Sequence, residues 1–400
     1  MPTYIRRDTL LLLSFIMLLA LCLRGPVVGI APLIERIEHD LSLTSSASGL
    51  LTTLPLLSFA FFAPVATWLA RRWQIETALL IGAVCILIGM VLRSLGMLPS
   101  LYLGVFLIGA GIAVGNVLLP ILLKRDFAQH IIQLTALYVL MMNVGGALMT
   151  GSAMPIALFS EQHLSALGEG WSLSLASQIL LVLVPVVLWF WLPKSPSNAA
   201  QAPTTTLPIN LWRSPLAWLI TLFIALDSVI NYIVNAWLPT IYMDQGIAPV
   251  TAGVYHSYVQ VGGALPGLLL PLLQRVLKSN RQLSATACVC TLIGLFGIAE
   301  FTAWAAYWSL LFGFGITLGF VIGIALISLR TDSIKQAAAL SGMAQLVGYT
   351  LAAMGPVAMG GLHDWLGQWH TGLYALIVLC LIWSILGWYA SKPNAHCHQE

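Results

Sequence analysis

A few ionisable side chains interrupt long apolar stretches of this sequence, and Arg24 lies deepest in one. It falls about fifteen residues into the first stretch, or about 22 Å of helical rise. At that depth a guanidinium reaches water only through a cavity beside it. Its planar set of N–H donors could attract an anion or an electron-rich oxygen such as that of a nitro group. Alternatively, it bridges helix backbones or pairs with an internal acid.

Two other ionisable residues could exchange protons. Asp227 is the only acidic residue near the middle of an apolar stretch, where a carboxylate could take up a proton or form an ion pair. His256 lies in the next stretch, and histidine titrates near neutrality. It could equally be a packing residue held by hydrogen bonds. Both are candidates for proton coupling.

Uncharged polar side chains in the same stretches are candidates for contact with a small molecule. Burying a polar group without a partner is unfavourable, so each is expected in the protein interior or beside a water-filled cavity. A hydrogen bond between helices is the alternative for each amide. With Arg24 and His256, the candidate binding residues are Asn116, Tyr138, Asn143, Asn231, Tyr232, Gln260, Gln345 and Tyr349. Asn235 is another polar residue within one of these apolar stretches. The pairs His256–Gln260 and Gln345–Tyr349 are each spaced to share one helix face.

The elements that position these residues follow from composition. Hydrophobic residues make up 59% of the 400 residues and charged residues only 8%, with a mean hydropathy of +0.92, which excludes a soluble domain with its usual quarter of charged residues. A bilayer needs roughly 20 apolar residues per helical crossing. We therefore predict an all-α membrane protein with twelve transmembrane helices. The predicted spans are 9–34, 47–70, 76–96, 100–123, 133–158, 172–192, 214–242, 250–273, 283–302, 305–329, 336–360 and 370–390.

The basic residues indicate topology. They gather in alternate connections between spans, and only Arg36 and Arg93 fall on the opposite side. By the positive-inside rule, both termini and the central connection are expected in the cytoplasm. The basic residues form no continuous stripe, so no nucleic-acid partner is expected.

The chain is expected to consist of two halves. The polar segment 193–213 suits a flexible cytoplasmic linker between six-helix bundles at 1–192 and 214–391, followed by a cytoplasmic tail at 392–400. The halves also repeat, because Pro32 and Pro64 recur 207 residues later as Pro239 and Pro271. In the same register Arg24 corresponds to Asn231. Two bundles related by an axis along the membrane normal are typical of major facilitator transporters.

Several short motifs resemble one family. They are Leu-Arg-Gly-Pro at 23–26, Gly-Asn-Val-Leu-Leu-Pro at 115–120 with Lys-Arg-Asp-Phe at 124–127, Ala-Trp-Leu-Pro at 236–239 and Leu-Ser-Gly-Met-Ala-Gln at 340–345. Together they resemble the cyanate permease and 2-nitroimidazole transporter family of the major facilitator superfamily, most closely its 2-nitroimidazole branch. The resemblance implies handling of small planar nitrogen heterocycles, outward across the membrane. The acidic residue that major facilitator proteins usually carry before the basic pair Arg71-Arg72 is missing, which leaves the usual charge gate in doubt.

The resulting hypothesis is a secondary active transporter of the bacterial inner membrane that works by alternating access. Proton-coupled efflux of 2-nitroimidazole-like heterocycles is the leading interpretation, and uptake of cyanate or another small organic anion is the alternative. A non-transporting membrane sensor is a remote third. The spans contain no convergent nucleophile and base and no metal-ligand cluster, so an enzyme is not expected. We expect no cofactor and no metal. The expected partners are a small-molecule solute, the lipid bilayer and protons, and the protein is expected to be a monomer.

Overall fold

The computed structural model describes residues 7–127, 131–164, 166, 168–192, 209–331 and 334–392. Most of the predicted linker, residues 193–208, and of the tail, residues 393–400, lie outside this range. Every regular element in the described part is helical, as predicted. The helices are α1 (Arg7–Leu21), α2 (Gly25–Val28), α3 (Ile34–Leu41), α4 (Ser45–Arg72), α5 (Ile75–Arg93), α6 (Leu98–Asp126), α7 (Ile131–His163), α8 (Gly170–Ser177), α9 (Ile179–Trp189), α10 (Pro215–Asp244), α11 (Pro249–Val276), α12 (Asn280–Glu300), α13 (Ala305–Leu329), α14 (Ile334–Leu366) and α15 (His370–Ala390).

Ten stretches of the described chain are long and apolar enough to cross a membrane. The two other predicted spans correspond to α11 and α14, which are 28 and 33 residues long. Both exceed the length of a crossing. They also carry four of the candidate polar residues, so each predicted span has a helical counterpart.

The predicted first span, 9–34, is interrupted and longer than expected. Helix α1 ends at Leu21, three residues form a turn, α2 begins at Gly25, and α3 continues to Leu41 after a short 3₁₀ turn. Pro26 supplies the cause, since proline has no N–H to donate to the preceding turn and its ring collides with that turn. The chain therefore changes direction beside Arg24.

The structure divides into two compact units. The first comprises Met1–Leu41 with Leu57–Ala202, and the second comprises Ser42–Leu56 with Pro203–Glu400. Helix α4 is thus shared between them, with its first turns in the second unit.

In the first unit, α1 packs on α7 and α9, and α5 packs on α6. The crossing of α1 and α7 depends on Gly145, where an added Cβ would lie 1.9 Å from the carbonyl oxygen of Leu21. Only a residue without a side chain permits this approach. The backbone next to Arg24 is therefore tied closely to α7.

Two carboxylates of the first unit bind one arginine at the end of α6. Glu76, at the start of α5, forms an ion pair of 2.5 Å with Arg125 at the end of α6. Asp126 accepts a second contact of 2.7 Å from the same guanidinium. Both carboxylates come after the basic pair in the chain, and the contacts join the start of α5 to the end of α6.

In the second unit, α10 packs on α11, α13, α14 and α15. Two indole N–H groups join these helices: Trp237 donates to the Pro356 carbonyl at 2.9 Å, and Trp383 donates to the Phe223 carbonyl at 3.0 Å. The crossing of α11 and α13 needs Gly313, whose added Cβ would lie 2.0 Å from the Val259 carbonyl oxygen. Helix α10 is consequently enclosed on several sides.

The first turns of α4 are held in the second unit by Asp364 at the end of α14. Its carboxylate accepts hydrogen bonds from the Ser45 and Ser46 backbone N–H groups at 3.0 and 2.9 Å and from the Ser46 hydroxyl at 2.7 Å. A carboxylate is favoured at a helix N-terminus, where backbone N–H groups lack partners. Further along, the Thr53 hydroxyl donates to the Ala353 carbonyl at 2.6 Å.

Replacement of Asp364 tests this contact. Burial alone would raise the pKa of Asp364, but the hydrogen bonds from Ser46 and Ser45 outweigh it, so the pKa lies below its ordinary value. Because this carboxylate is largely exposed, we expect D364N to lose only about 1 kcal/mol. For a chain of 400 residues, that loss corresponds to a fall in Tm of about 1 °C at pH 7.

The pH dependence has a definite sign. A lowered native pKa makes the contribution complete above the ordinary aspartate pKa of about 3.9 and removes it as the pH falls through the native value. The difference in Tm between wild type and D364N should therefore shrink in acid. D244N, at an exposed carboxylate on α10, is the control. Equal Tm values for D364N and D244N at pH 7 would contradict the prediction.

Candidate functional site

Arg24 lies where the first span is interrupted. It precedes the first residue of α2, with φ −120° and ψ −43°, and is half-buried. Its carbonyl oxygen accepts from the Val27 and Val28 N–H groups at 3.1 and 3.2 Å, so it caps the start of the short helix. Interrupted helices in transporters often bind ions or substrates, because side chains and backbone groups there are free of the regular helical pattern. The position suits a charged group that meets a solute.

Arg93 is more deeply buried than its predicted place between two spans implies. It was counted among the charges of the connections, whereas the structure places it at the end of α5 with its side chain fully buried. Its guanidinium donates to the Pro26 carbonyl at 2.5 Å and to the Gln178 side-chain oxygen at 2.7 Å. Arg93 therefore fixes α2, next to Arg24, to α5 and to the junction of α8 and α9.

Gln178 was not singled out from the sequence either. It lies where the predicted span 172–192 is interrupted between α8 and α9. The only sequence signal for this pair was an amide in one apolar stretch and an arginine at the end of another. Nothing in the spacing of the two residues indicated that they meet.

The structure brings Asn116 of α6 and Tyr138 of α7 together, since the tyrosine hydroxyl donates to the Asn116 side-chain oxygen at 3.2 Å. Pro120 follows Asn116 by four residues and cannot donate to its carbonyl, which loosens the helix at that turn. Asn143 is buried and donates to the Val139 carbonyl of its own helix at 2.9 Å. It therefore interacts locally rather than with the Asn116–Tyr138 pair.

In the second unit, four polar side chains of α10 and α11 form one hydrogen-bonded network. We call it the Asn235 network, and its members are Asn231, Asn235, His256 and Gln260. The Asn235 side-chain oxygen accepts from Gln260 Nε2 at 2.6 Å and lies 3.3 Å from His256 Nε2. The Asn235 Nδ2 group donates to both the carbonyl oxygen and Oδ1 of Asn231 at 2.8 Å. Gln260 and His256 are fully buried, Asn235 nearly so, and Asn231 half-buried. The predicted His256–Gln260 pair thus meets Asn231 through Asn235.

Asp227 lies elsewhere on α10. It is 2% exposed, and a methyl group added at Gly319 of α13 would lie 2.9 Å from its Oδ1 atom. The thiols of Cys288 and Cys380 are close enough to interact electrostatically with the carboxylate. Asp227 therefore occupies the packed region between α10, α12, α13 and α15.

The remaining candidates are on α10 and α14. Gln345 is exposed and donates to the Ser341 hydroxyl at 3.1 Å, one turn earlier on its own helix. Tyr349 and Tyr232 are half-buried. The Gln345 side chain is thus engaged locally rather than in the Asn235 network.

Replacing Arg93 by methionine tests its hold on α2. The Pro26 carbonyl and the Gln178 oxygen each lose a donor, and a buried acceptor left without a partner costs about 1–3 kcal/mol. We expect R93M to increase hydrogen exchange at the Val27, Val28 and Gly29 amides by about tenfold or more, measured by mass spectrometry. R275M, at an exposed arginine on α11, should leave them unchanged. Unaltered protection in R93M would show that other contacts hold the segment.

Comparison with known proteins places the chain in a family. A model described as the Major Facilitator Superfamily matches residues 11–354. The chain is 40% identical to the 2-nitroimidazole transporter of Escherichia coli (strain K12) across 97% of each protein. It is 26% identical to the cyanate transport protein CynX of the same organism, across 93% of this chain and 94% of the relative.

The fold agrees with this assignment. The crystal structure of a D-xylose-proton symporter superposes with a TM-score of 0.78, covering 98% of this chain and 99% of the symporter, at 15% sequence identity. These relatives are transporters rather than enzymes, as predicted. With helices long enough to cross a bilayer many times and a family match over most of its length, this chain is a multi-pass membrane transporter that belongs to the Major Facilitator Superfamily.

Proposed function

We propose that this protein is a secondary active transporter that exports small planar heterocycles of the 2-nitroimidazole type across the bacterial inner membrane in exchange for protons. The observation that carries the substrate proposal is the identity of 40% to a 2-nitroimidazole transporter over nearly the whole of both chains. The proposal also includes cytoplasmic termini, two six-helix bundles joined by the linker at 193–213, and a monomeric state.

The polar groups described above suit such a solute. A nitro group offers two oxygen acceptors in the plane of the ring, and the guanidinium of Arg24 offers planar N–H donors. In the first unit the Asn116–Tyr138 pair adds neutral polar groups. In the second unit the Asn235 network also supplies neutral polar groups. Each unit thus offers neutral polar groups that suit a planar solute of low charge, and the first unit also offers a cation.

Proton coupling is assigned to Asp227 and, as a second candidate, to His256. Both are buried within the second unit. A carboxylate in a region of low dielectric constant changes its charge only when a conformational change alters its surroundings, and that property couples proton transfer to movement. His256 already contacts Asn235. Its protonation would therefore act directly on the polar network.

Uptake of cyanate or another small organic anion is the second candidate function. It is favoured by the formal charge of Arg24, which binds an anion more strongly than a neutral ring. The similarity to a cyanate transport protein, at lower identity, supports it as well.

Variants of Arg24 separate the two functions. In proteoliposomes, R24A should slow transport of labelled 2-nitroimidazole at least about tenfold, because charge-assisted hydrogen bonds contribute about 1.5–3 kcal/mol. R24K keeps the charge but loses the planar array of donors. If the heterocycle is the substrate, R24K should transport 2-nitroimidazole nearly as slowly as R24A does. If a small anion is the substrate, R24K should recover much of the wild-type rate of cyanate transport. Wild-type rates in R24A would exclude a binding role for this residue.

Replacement of Asp227 tests coupling. Under an imposed pH gradient, wild-type protein should concentrate 2-nitroimidazole, and D227N should only equilibrate it across the membrane, because an amide does not take up the coupling proton. D244N, which alters an exposed carboxylate of the same helix, should concentrate solute normally. If D227N concentrates solute as wild type does, the coupling group is another residue, and H256N is then the variant to compare.

A further inference from the structure

The orientation of every amide in the Asn235 network follows from one atom that can only accept. The Asn231 carbonyl oxygen lies 2.8 Å from one terminal atom of the Asn235 side chain. A backbone carbonyl has no hydrogen to donate, so that atom must be the nitrogen of Asn235. The other terminal atom is therefore Oδ1. This assignment depends on chemistry rather than on distinguishing oxygen from nitrogen by shape.

The neighbours of Asn235 are then fixed in turn. Its Oδ1 atom needs donors, so Gln260 directs its NH₂ group to Asn235 and His256 carries hydrogen on Nε2. Its Nδ2 group has one hydrogen for the Asn231 carbonyl and one for the Asn231 side chain, 2.8 Å away. The atom of Asn231 that faces Asn235 must therefore be Oδ1.

This assignment also fixes the direction of the Asn231 side-chain NH₂ group. With its oxygen committed to Asn235, its NH₂ group points away from the network, and among the described residues it donates to no protein acceptor. Asn231 is also the one half-buried member of a network whose other members are buried. It therefore presents two N–H donors at the partly exposed end of the network.

We infer that Asn231 contacts the transported solute through its amide N–H groups and selects for solutes that carry a hydrogen-bond acceptor at that position. Asn235 is a positioning residue, which holds Asn231 in the donating orientation and is itself held by Gln260 and His256. This inference deepens the proposed function and rests on it for the identity of the solute. It specifies a chemical class: planar solutes with nitro, carboxylate or similar oxygen acceptors.

The internal repeat supports the same chemistry independently. Arg24 occupies in the first half the register that Asn231 occupies in the second. An arginine side chain has only donors, and the network gives Asn231 the same character. Corresponding positions of the two repeats thus both present N–H groups.

A pair of matched ligands measures this selectivity. 2-Nitroimidazole and 2-aminoimidazole share a ring, but the first carries oxygen acceptors where the second carries N–H donors. Binding of each to purified full-length protein in detergent is measured by equilibrium dialysis, and the ratio of the two Kd values is compared between variants. The ratio does not depend on how much of the protein is folded. We expect wild type to prefer 2-nitroimidazole.

Two variants should shift this ratio in the same direction. N231D replaces the donors with oxygens and should move the preference toward 2-aminoimidazole by about tenfold or more. N235D places an oxygen against the Asn231 carbonyl and forces the Asn231 amide to turn its NH₂ group inward. It should therefore also favour 2-aminoimidazole, although residue 235 makes no contact with the ligand.

Two further variants are controls. N235A should weaken binding of 2-nitroimidazole without inverting the preference, and N280D, at an exposed site on α12, should match wild type.

Cyanate as a third ligand separates this inference from the proposed function. If wild type binds 2-nitroimidazole and both N231D and N235D keep the wild-type ratio, the inference is overturned while the heterocycle proposal stands. If wild type binds cyanate but not 2-nitroimidazole, and N231D and N235D weaken cyanate binding, the inference stands and the heterocycle proposal fails. A wild-type protein that binds none of the three ligands contradicts both.

Discussion

Inside a bilayer a polar group has no water to bind, so its partner must come from the protein or its cargo. This constraint explains the side chains that matter most here. Arg93 is fully buried and is tolerated because Pro26 and Gln178 accept its hydrogen bonds. Asn235 is nearly buried and is tolerated because all of its hydrogen-bonding capacity is used by other members of its network. In the proposed function, partly enclosed polar groups such as Arg24 and Asn231 are the ones that meet the solute.

Proline residues create many of the positions where this constraint operates. A proline within a helix removes one backbone hydrogen bond and leaves the carbonyl four residues earlier without its usual partner. Pro239 stands in this relation to Asn235, and Pro120 to Asn116. Both asparagines therefore lie at turns where the helix is locally weakened. Pro26 acts more strongly, because the chain leaves the helical path before it.

The number and approximate position of the helices could be predicted because each crossing needs a long apolar run, and such runs are visible in one sequence. The interruptions at Arg24 and Gln178 were not predicted, since the apolar composition continues through both. The burial of Arg93 was not predicted for a related reason, because counting charges between spans assumes that a charge at a helix end meets water. Its actual partners come from distant parts of the chain.

The candidate residues show the same division between local and tertiary information. The spacing of His256 and Gln260 indicated that they share a helix face, and both contact the same asparagine on α10. The central role of Asn235 depends on a neighbouring helix and could not be read from spacing. Asn143 looked similar to Asn116 in the sequence, yet one bonds its own helix and the other a tyrosine of the next helix.

The two thiols near Asp227 have a practical consequence. The S–H stretching vibration absorbs in a part of the infrared spectrum that is nearly empty of other protein bands, and its frequency depends on the local electric field. Cys288 and Cys380 lie within the electrostatic influence of Asp227. The native protein thus contains two vibrational probes beside a buried carboxylate, and difference spectroscopy could follow the charge of that carboxylate during turnover without any introduced label.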